Sequence, residues 1–200
     1  MHPPTHALLS WLLAEAGGLE HRRDRGLVLA AGLLPDLDGL SILFGQEAYL
    51  TWHRILLHHG VGAAGIALLT AAVARARLRT AALALVSTHL HFVCDMLGSA
   101  GPDGSIWRIP YLVPFDMAHP GFAPAWQWGL ASWQNVSITV LCLVACAVLG
   151  VRRGRTILEP VSLRADRAVV EVLRRRFGGL STPAPAAPAP PPPPPHAVES

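Results

Sequence analysis

Lysine is absent from the 200-residue chain, whose sixteen basic residues are all Arg. Lys-based nucleophilic chemistry and a P-loop lysine are thereby excluded. Charge is scarce too, at 14% of residues, whereas 52% are hydrophobic and the mean hydropathy is +0.38. So little polar surface cannot cover an ordinary soluble domain of 21.3 kDa. Cysteine is limited to Cys94, Cys142 and Cys146, an odd number set in apolar runs without a CxxC pair. This excludes a disulfide framework and a thiolate zinc site, and the three read as small buried hydrophobes. No polar low-complexity tract runs through the body, so disorder is excluded except at the C-terminal end.

Apolar length, clustered Arg and ten His remain. Residues 135–151 (NVSITVLCLVACAVLGV) carry no charge over a length approaching the ~20 residues a membrane span needs. Residues 80–97 are as apolar in their first half but hold His89, His91 and Asp95 in the second. Residues 60–74 are shorter and rich in Gly and Ala, which suits close packing between helices. Residues 5–16 and 27–34 are apolar but too short to span unaided. Arg22, Arg23 and Arg25 follow the first run instead of preceding it, so the N-terminus does not read as a cleaved signal. Residues 98–134 form a Gly-, Pro- and Trp-rich loop with Trp107, Trp126, Trp128 and Trp133 as interfacial anchors. Ser162 is placed to cap a helix over 163–177 that ends at Gly178 and Gly179, with Val169, Val170, Val172 and Leu173 beside a basic face. Beyond it, residues 182–195 are almost all Pro and Ala.

The expected fold is therefore all-α: a multi-helix membrane-embedded bundle over 1–155, a basic amphipathic cytoplasmic helix over 156–180, and a disordered Pro-rich tail over 181–200. Residues 152–180 hold eight Arg against Glu159, Asp166 and Glu171, a net +5 that leaves −2 for the rest of a chain of net +3. Such a juxtamembrane cluster is drawn to anionic lipid at the cytoplasmic face. The Arg are not interleaved with exposed aromatics, so membrane lipid is the expected partner and nucleic acid is not. By the positive-inside rule, Arg segments 22–25, 75–79 and 152–155 are cytoplasmic. The His and Asp clusters then lie at the opposite, extracytoplasmic ends.

An ionisable group at the middle of a span costs about 2.5–3.5 kcal/mol and asks for a partner. Four clusters do so: His6; Asp36 and Asp38 in LLPDLDGL; His53, His58 and His59 in WHRILLHHG; and His89, His91 and Asp95 in THLHFVCD. Imidazole with carboxylate and no thiolate suits zinc, manganese or iron. On a helix, His91 and Asp95 share a face about 5–6 Å apart at Cβ, while His89 points away. A lone pair of this kind reads as a structural hydrogen bond; three further clusters turn the reading toward a metal. His53 and His58 are five apart on a presumed helix, and adjacent His58 and His59 cannot both face one point. Arg54 suits either an anionic substrate oxygen or a pairing with Asp36 or Asp38. Helix capping would explain either Asp equally well.

The order Thr5–His6, Pro35–Asp36–Leu37–Asp38, His53–Arg54 with His58, His91–Asp95 and Pro114–Phe115 resembles the YdjM-like family of membrane-bound, predicted metal-dependent hydrolases. The likeness covers residues 5–115 and departs at Leu57 and His59, where the family pattern has Thr and Ser. The order also resembles a reduced zinc-dependent phospholipase C and its related single-strand nucleases. Their final His and His-x-x-x-Glu group is missing here, which excludes three zinc ions. The resemblance implies one or two Zn, one held by Asp38, His53, His91 and Asp95 and a second near His6 and Asp36. It further implies a hydrolase that uses Asp36, Arg54 and His58 and a metal-activated water on a phosphoester or lipid-linked substrate. The alternative is a non-catalytic membrane protein with a structural metal or His/Asp network that recruits a cytoplasmic partner. A transporter is disfavoured by the small number of spans.

Overall fold

A computed structural model describes residues 1–53, 55–119 and 121–178. Arg54 and the Pro-rich tail lie outside the described residues, as does Gly179 at the expected helix stop. Among the described residues there are seven α-helices: α1 (Pro3–Ala16), α2 (Arg22–Ala31), α3 (Gln46–Trp52), α4 (Gly60–Val73), α5 (Arg77–Gly98), α6 (Trp133–Arg153) and α7 (Leu163–Phe177). A 3-10 helix, Leu34–Phe44, joins α2 to α3. The long loop between α5 and α6 carries two isolated β-bridges, Ala100 with Gly129 and Ile109 with Phe122, and no strand among the described residues.

Helices α5 and α6 are long and apolar enough to cross a membrane. Helix α2 and the 3-10 helix pass the same test as a pair, but they bend by 53° at their junction, the geometry of a broken span or a re-entrant loop. Pro35 at the start of the 3-10 helix accounts for the break, since its ring cannot continue the helix that precedes it. Helix α6 buries Asn135, Cys142, Cys146 and Gly150 and turns Val140, Leu141, Leu143 and Val144 outward. An apolar outer face on a buried polar seam is the pattern of a helix solvated by hydrocarbon. Helix α1, short of a span, packs against α2, α5 and α6. Its Leu8 and Trp11 form a core with Leu29, Cys142 and Cys146, so these two cysteines serve as small apolar residues.

Small hydroxyls stitch the helices where backbones approach. Ser87 Oγ donates to Ser10 Oγ at 2.8 Å, Thr88 Oγ1 donates to the Ala31 carbonyl at 3.1 Å, and the Thr5 and Thr139 hydroxyls meet at 2.6 Å. Charge then gathers at two ends. Glu15, nearly inaccessible at 2% exposure, lies at the end of α1 that carries no His. It accepts from Arg153 Nη1 at 2.8 Å and Arg155 Nε at 2.8 Å, and Arg25 Nε stands 3.6 Å away. Arg25 also forms a bidentate pair with Glu159 at 2.6 and 2.9 Å. Asp24 accepts the backbone N–H groups of Arg75 and Ala76, which pins the α4–α5 turn to the same end. Arg segments 22–25, 75–79 and 152–155 therefore meet at one pole. His6 lies about 14 Å along α1 from Glu15, and Asp95 about 24 Å along α5 from Arg79, at 1.5 Å per residue.

Ser162 caps α7 by accepting from Ala165 N–H at 3.3 Å, and Asp166 accepts from the Thr156 hydroxyl and N–H at 2.7 and 2.6 Å. The presumed helix carrying His53 and His58 is not found among the described residues. His53 is extended at the end of α3 and residues 55–59 are irregular, which lets His53 and His58 face one acceptor, whereas five helical residues would set them ~140° apart.

Removing one partner of a buried ion pair costs about 3–5 kcal/mol, and solvent access to Arg153 and Arg155 lowers the expected loss for Glu15→Gln to about 2–3 kcal/mol. Thermal unfolding of the detergent-solubilised protein measures it. Burial raises the Glu15 pKa, but Arg155 and Arg153 outweigh it and hold the carboxyl below its ordinary value. Its contribution is therefore present above the ordinary carboxylate pKa and is lost as pH falls through the depressed folded value. The wild-type protein should lose stability on acidification over that window more steeply than Glu15→Gln.

Candidate metal centre

At the opposite pole three elements bring four ligand atoms together. His6 comes from α1, Asp36 from the 3-10 helix, and His91 and Asp95 from one face of α5. These atoms all lie within 4.8 Å of one another. His91 Nε2 is 3.6 Å from Asp36 Oδ1 and 3.7 Å from Asp95 Oδ2, and His6 Nε2 is 3.2 Å from Asp95 Oδ1. The His6 ring stacks on His91 at 3.8 Å between centroids.

Asp36 and Asp38 diverge because residues two apart in a 3-10 helix differ by ~240° about its axis. Asp36 turns to His91; Asp38, fully buried as a side chain, turns to the other histidines. His53 Nδ1 donates to Asp38 Oδ1 at 2.9 Å and His58 Nδ1 donates to Asp38 Oδ2 at 2.8 Å, since an ionised carboxylate can only accept. His58 links the two groups: its Nε2 lies 3.1 Å from His91 Nε2 and 3.6 Å from Asp95 Oδ2. Burial works against a charged His58, but Asp38 and Asp95 outweigh it and raise the imidazole above its ordinary range.

His91 Nδ1 donates to the Gly32 carbonyl at 2.9 Å, so its Nε2 lone pair points into the centre. With Nδ1 of His58 committed to Asp38, two ring nitrogens face each other, an arrangement that is repulsive without a proton or a metal cation between or beside them. Both nitrogens of buried His6 and Oδ2 of Asp36 lack a well-formed hydrogen bond, and His6 Nε2 stands 3.2 Å from Asp95 Oδ1 as an ion-pair contact. Meanwhile the α-ammonium of Met1 donates to Asp95 Oδ1 and, at 2.9 Å, to Ser99 Oγ. Buried nitrogens short of a well-formed hydrogen bond, a carboxylate that attracts a cation and an all-N/O donor set fit a divalent ion. His6, Asp36, His91 and Asp95 would hold it, with His58 alongside.

The sequence-predicted residues thus divide differently from expectation. Asp38 and His53, expected beside His91 and Asp95, form a carboxylate–imidazole group behind His58, while His6 and Asp36 close on the α5 pair. His59 turns away: its Nδ1 accepts from Gly62 N–H at 3.0 Å and caps α4. His89 donates from Nδ1 to the Leu85 carbonyl and meets the Tyr111 hydroxyl, outside the centre. Sequence reasoning missed the Gly32 carbonyl, Tyr49 stacked on His53 at 4.5 Å, and Trp107, whose ring stands edge-on to His53 at 5.6 Å. The proximity of Gly32 to an apolar-run terminus was the one available signal. Gln127 Nε2 lies 2.9–3.0 Å from the carbonyls of Asp95, Met96 and Trp107 and so fastens the loop over this pole.

A Cβ at Gly32 would meet Ser10 Oγ at 1.8 Å and Ser87 Oγ at 2.6 Å. Gly32→Ala is therefore expected to displace the carbonyl that orients His91 and to weaken zinc binding by about 10- to 100-fold. Chelator competition with zinc alone, on protein whose helical circular dichroism is retained, measures the change.

Against known protein families, a model described as YdjM inner membrane protein matches residues 1–168. No curated protein and no solved structure matches the chain.

Proposed function

The chain belongs to the YdjM inner membrane protein family, and on that premise we propose that it is a membrane-bound metal-dependent hydrolase acting on a phosphoester or lipid-linked substrate. The observation that carries the reading is the uneven burial of the donor set. The side chains of His6, His91 and Asp95 are at most 5% exposed, whereas that of Asp36 is 24% exposed. Structural metal sites are closed, and catalytic ones keep a side open for water or substrate. This asymmetry favours catalysis over a purely structural metal that would leave the protein to recruit a cytoplasmic partner.

A divalent ion at this centre, most plainly zinc in one or two copies, supplies Lewis acidity and lowers the pKa of bound water toward ~7. Asp36, at the open side, would help hold the ion and would accept a proton from the attacking water. His58, oriented through Nδ1 by Asp38, keeps Nε2 directed at the centre and serves as the proton carrier to the leaving group. His53 shares Asp38 and fixes its second oxygen. Arg54, next to His53 in the chain, supplies a fixed cation for an anionic substrate oxygen. Trp107 and Tyr49 flank His53 and limit water on that side.

We further propose that this pole is extracytoplasmic and the Arg pole, with α7 and the C-terminus, cytoplasmic. The support is the convergence of the three Arg segments on one end of the bundle, which the positive-inside rule assigns to the cytoplasm.

Two experiments test these readings. Asp95→Asn should lower the zinc content of purified protein by at least about tenfold and abolish turnover of a phosphodiester panel, since the carboxylate is central to the donor set; full metal content in the variant would overturn the assignment. For orientation, Ser105→Cys, exposed in the loop over the centre, is placed in a background lacking Cys94, Cys142 and Cys146. Labelling by a membrane-impermeant thiol reagent in intact cells is expected, and labelling only after lysis would reverse the topology.

A further inference from the structure

Beside the metal centre, between the outer face of α5 and the α5–α6 loop, lies a slot of about 280 Å³. We propose that it receives the hydrocarbon chain of a lipid whose polar head lies at the His/Asp centre, an inference that rests on the lipid-phosphoester reading above and names its substrate class. Phe92, Val93 and Met96 of α5 form one wall; Ile109, Tyr111 and Phe122 of the loop form the other. The polar groups at its edge are already engaged. His89 donates to the Leu85 carbonyl at 2.8 Å and accepts from the Tyr111 hydroxyl at 3.0 Å. A water in the slot would find no partner, so the space favours carbon.

Three features point to a membrane lipid as the occupant. Val93, 43% exposed, stands on the outer surface of a helix long and apolar enough to cross the bilayer, so the slot opens sideways onto hydrocarbon. Its depth also agrees, since Val93 lies between His91 and Asp95 in the chain and about 8 Å from the helix end at Gly98. The inner wall is one ring thick: Phe92, 3% exposed, has its ring 5.8 Å from that of His58 and 6.1 Å from that of His91. Phe92 thus separates the slot from the ligands by one ring, so a lipid with its chain in the slot reaches the centre with its head only past the edge of that ring. The outer wall is held by reciprocal Ile109–Phe122 backbone bonds of 2.9 Å, which a side chain at Gly121 would break, because its Cβ would lie 2.8 Å from the Ile109 carbonyl oxygen.

The test uses the full-length protein in nanodiscs of phosphatidylglycerol doped with a phosphatidylglycerol that bears a diazirine in one acyl chain. After irradiation, adducts should concentrate in the peptides around Val93–Met96 and Phe122 over those of the outer face of α6 at Leu141 and Leu143. Val93→Trp, which fills the slot from the lipid side, should reduce the slot adducts by at least about fivefold. Adducts spread evenly over α5 and α6, or undiminished by Val93→Trp, would overturn the slot; since the wild-type distribution is decisive by itself, a misfolded variant does not blunt the test. Phosphodiester turnover measured on the same preparation separates the two ideas. Slot labelling without turnover leaves the slot and removes the phosphoester reading, and turnover without slot labelling does the reverse.

Discussion

Taking a carboxylate, guanidinium or imidazolium out of water costs several kcal/mol unless a counter-charge and hydrogen bonds meet it, and apolar helices leave few places where they can. This bundle concentrates its ionisable groups at two poles and keeps the middle for Leu, Val, Ala and small hydroxyls. At one pole Glu15 gathers Arg25, Arg153 and Arg155 from two other helices and the turn after α6. At the other, Asp95, Asp36 and Asp38 gather His6, His53, His58 and His91. Helix α1 touches both, with His6 near its start and Glu15 near its end, so its placement ties the two poles together.

The poles differ in chemistry. Glu15 meets guanidinium groups, which stay protonated and offer only donors, so that cluster is a clamp. The His/Asp pole contains imidazoles whose second nitrogens are aimed at one another and at carboxylates, with the nitrogens of His6 short of a well-formed hydrogen bond. Unmet coordination of this kind suits a metal ion, and the partial exposure of Asp36 leaves a way in. Exposed Leu43 and Phe44 add apolar surface to the same 3-10 helix that carries Asp36.

Helix positions were legible because periodic apolar runs bounded by Gly, Pro and Arg have few alternatives. Helices α4, α5, α6 and α7 lie where hydropathy and capping residues put them, and the His91–Asp95 pair follows from helical spacing alone. The stretch from His53 to His59 was not legible. The positions of His53 and His58 are set by Asp38 drawing both imidazoles to one carboxylate, and the entry to α4 by the Gly60 N–H bonding to the Tyr111 carbonyl, contacts distant in sequence.

By itself, then, the sequence determined the all-helical membrane class, the chemistry of the donors and the spacing of the three Arg segments from the His/Asp pairs, since these depend on composition and local period. The tertiary structure alone decided which donors share a centre. Asp36 and Asp38 are two residues apart yet serve different histidines, because a 3-10 turn points them apart. His6 reaches the α5 pair because α1 packs against α5, with the Ser10–Ser87 bond and Gly32 at the close approach. Ligand grouping is a matter of side-chain direction across packed helices, and no spacing along one chain segment encodes that direction.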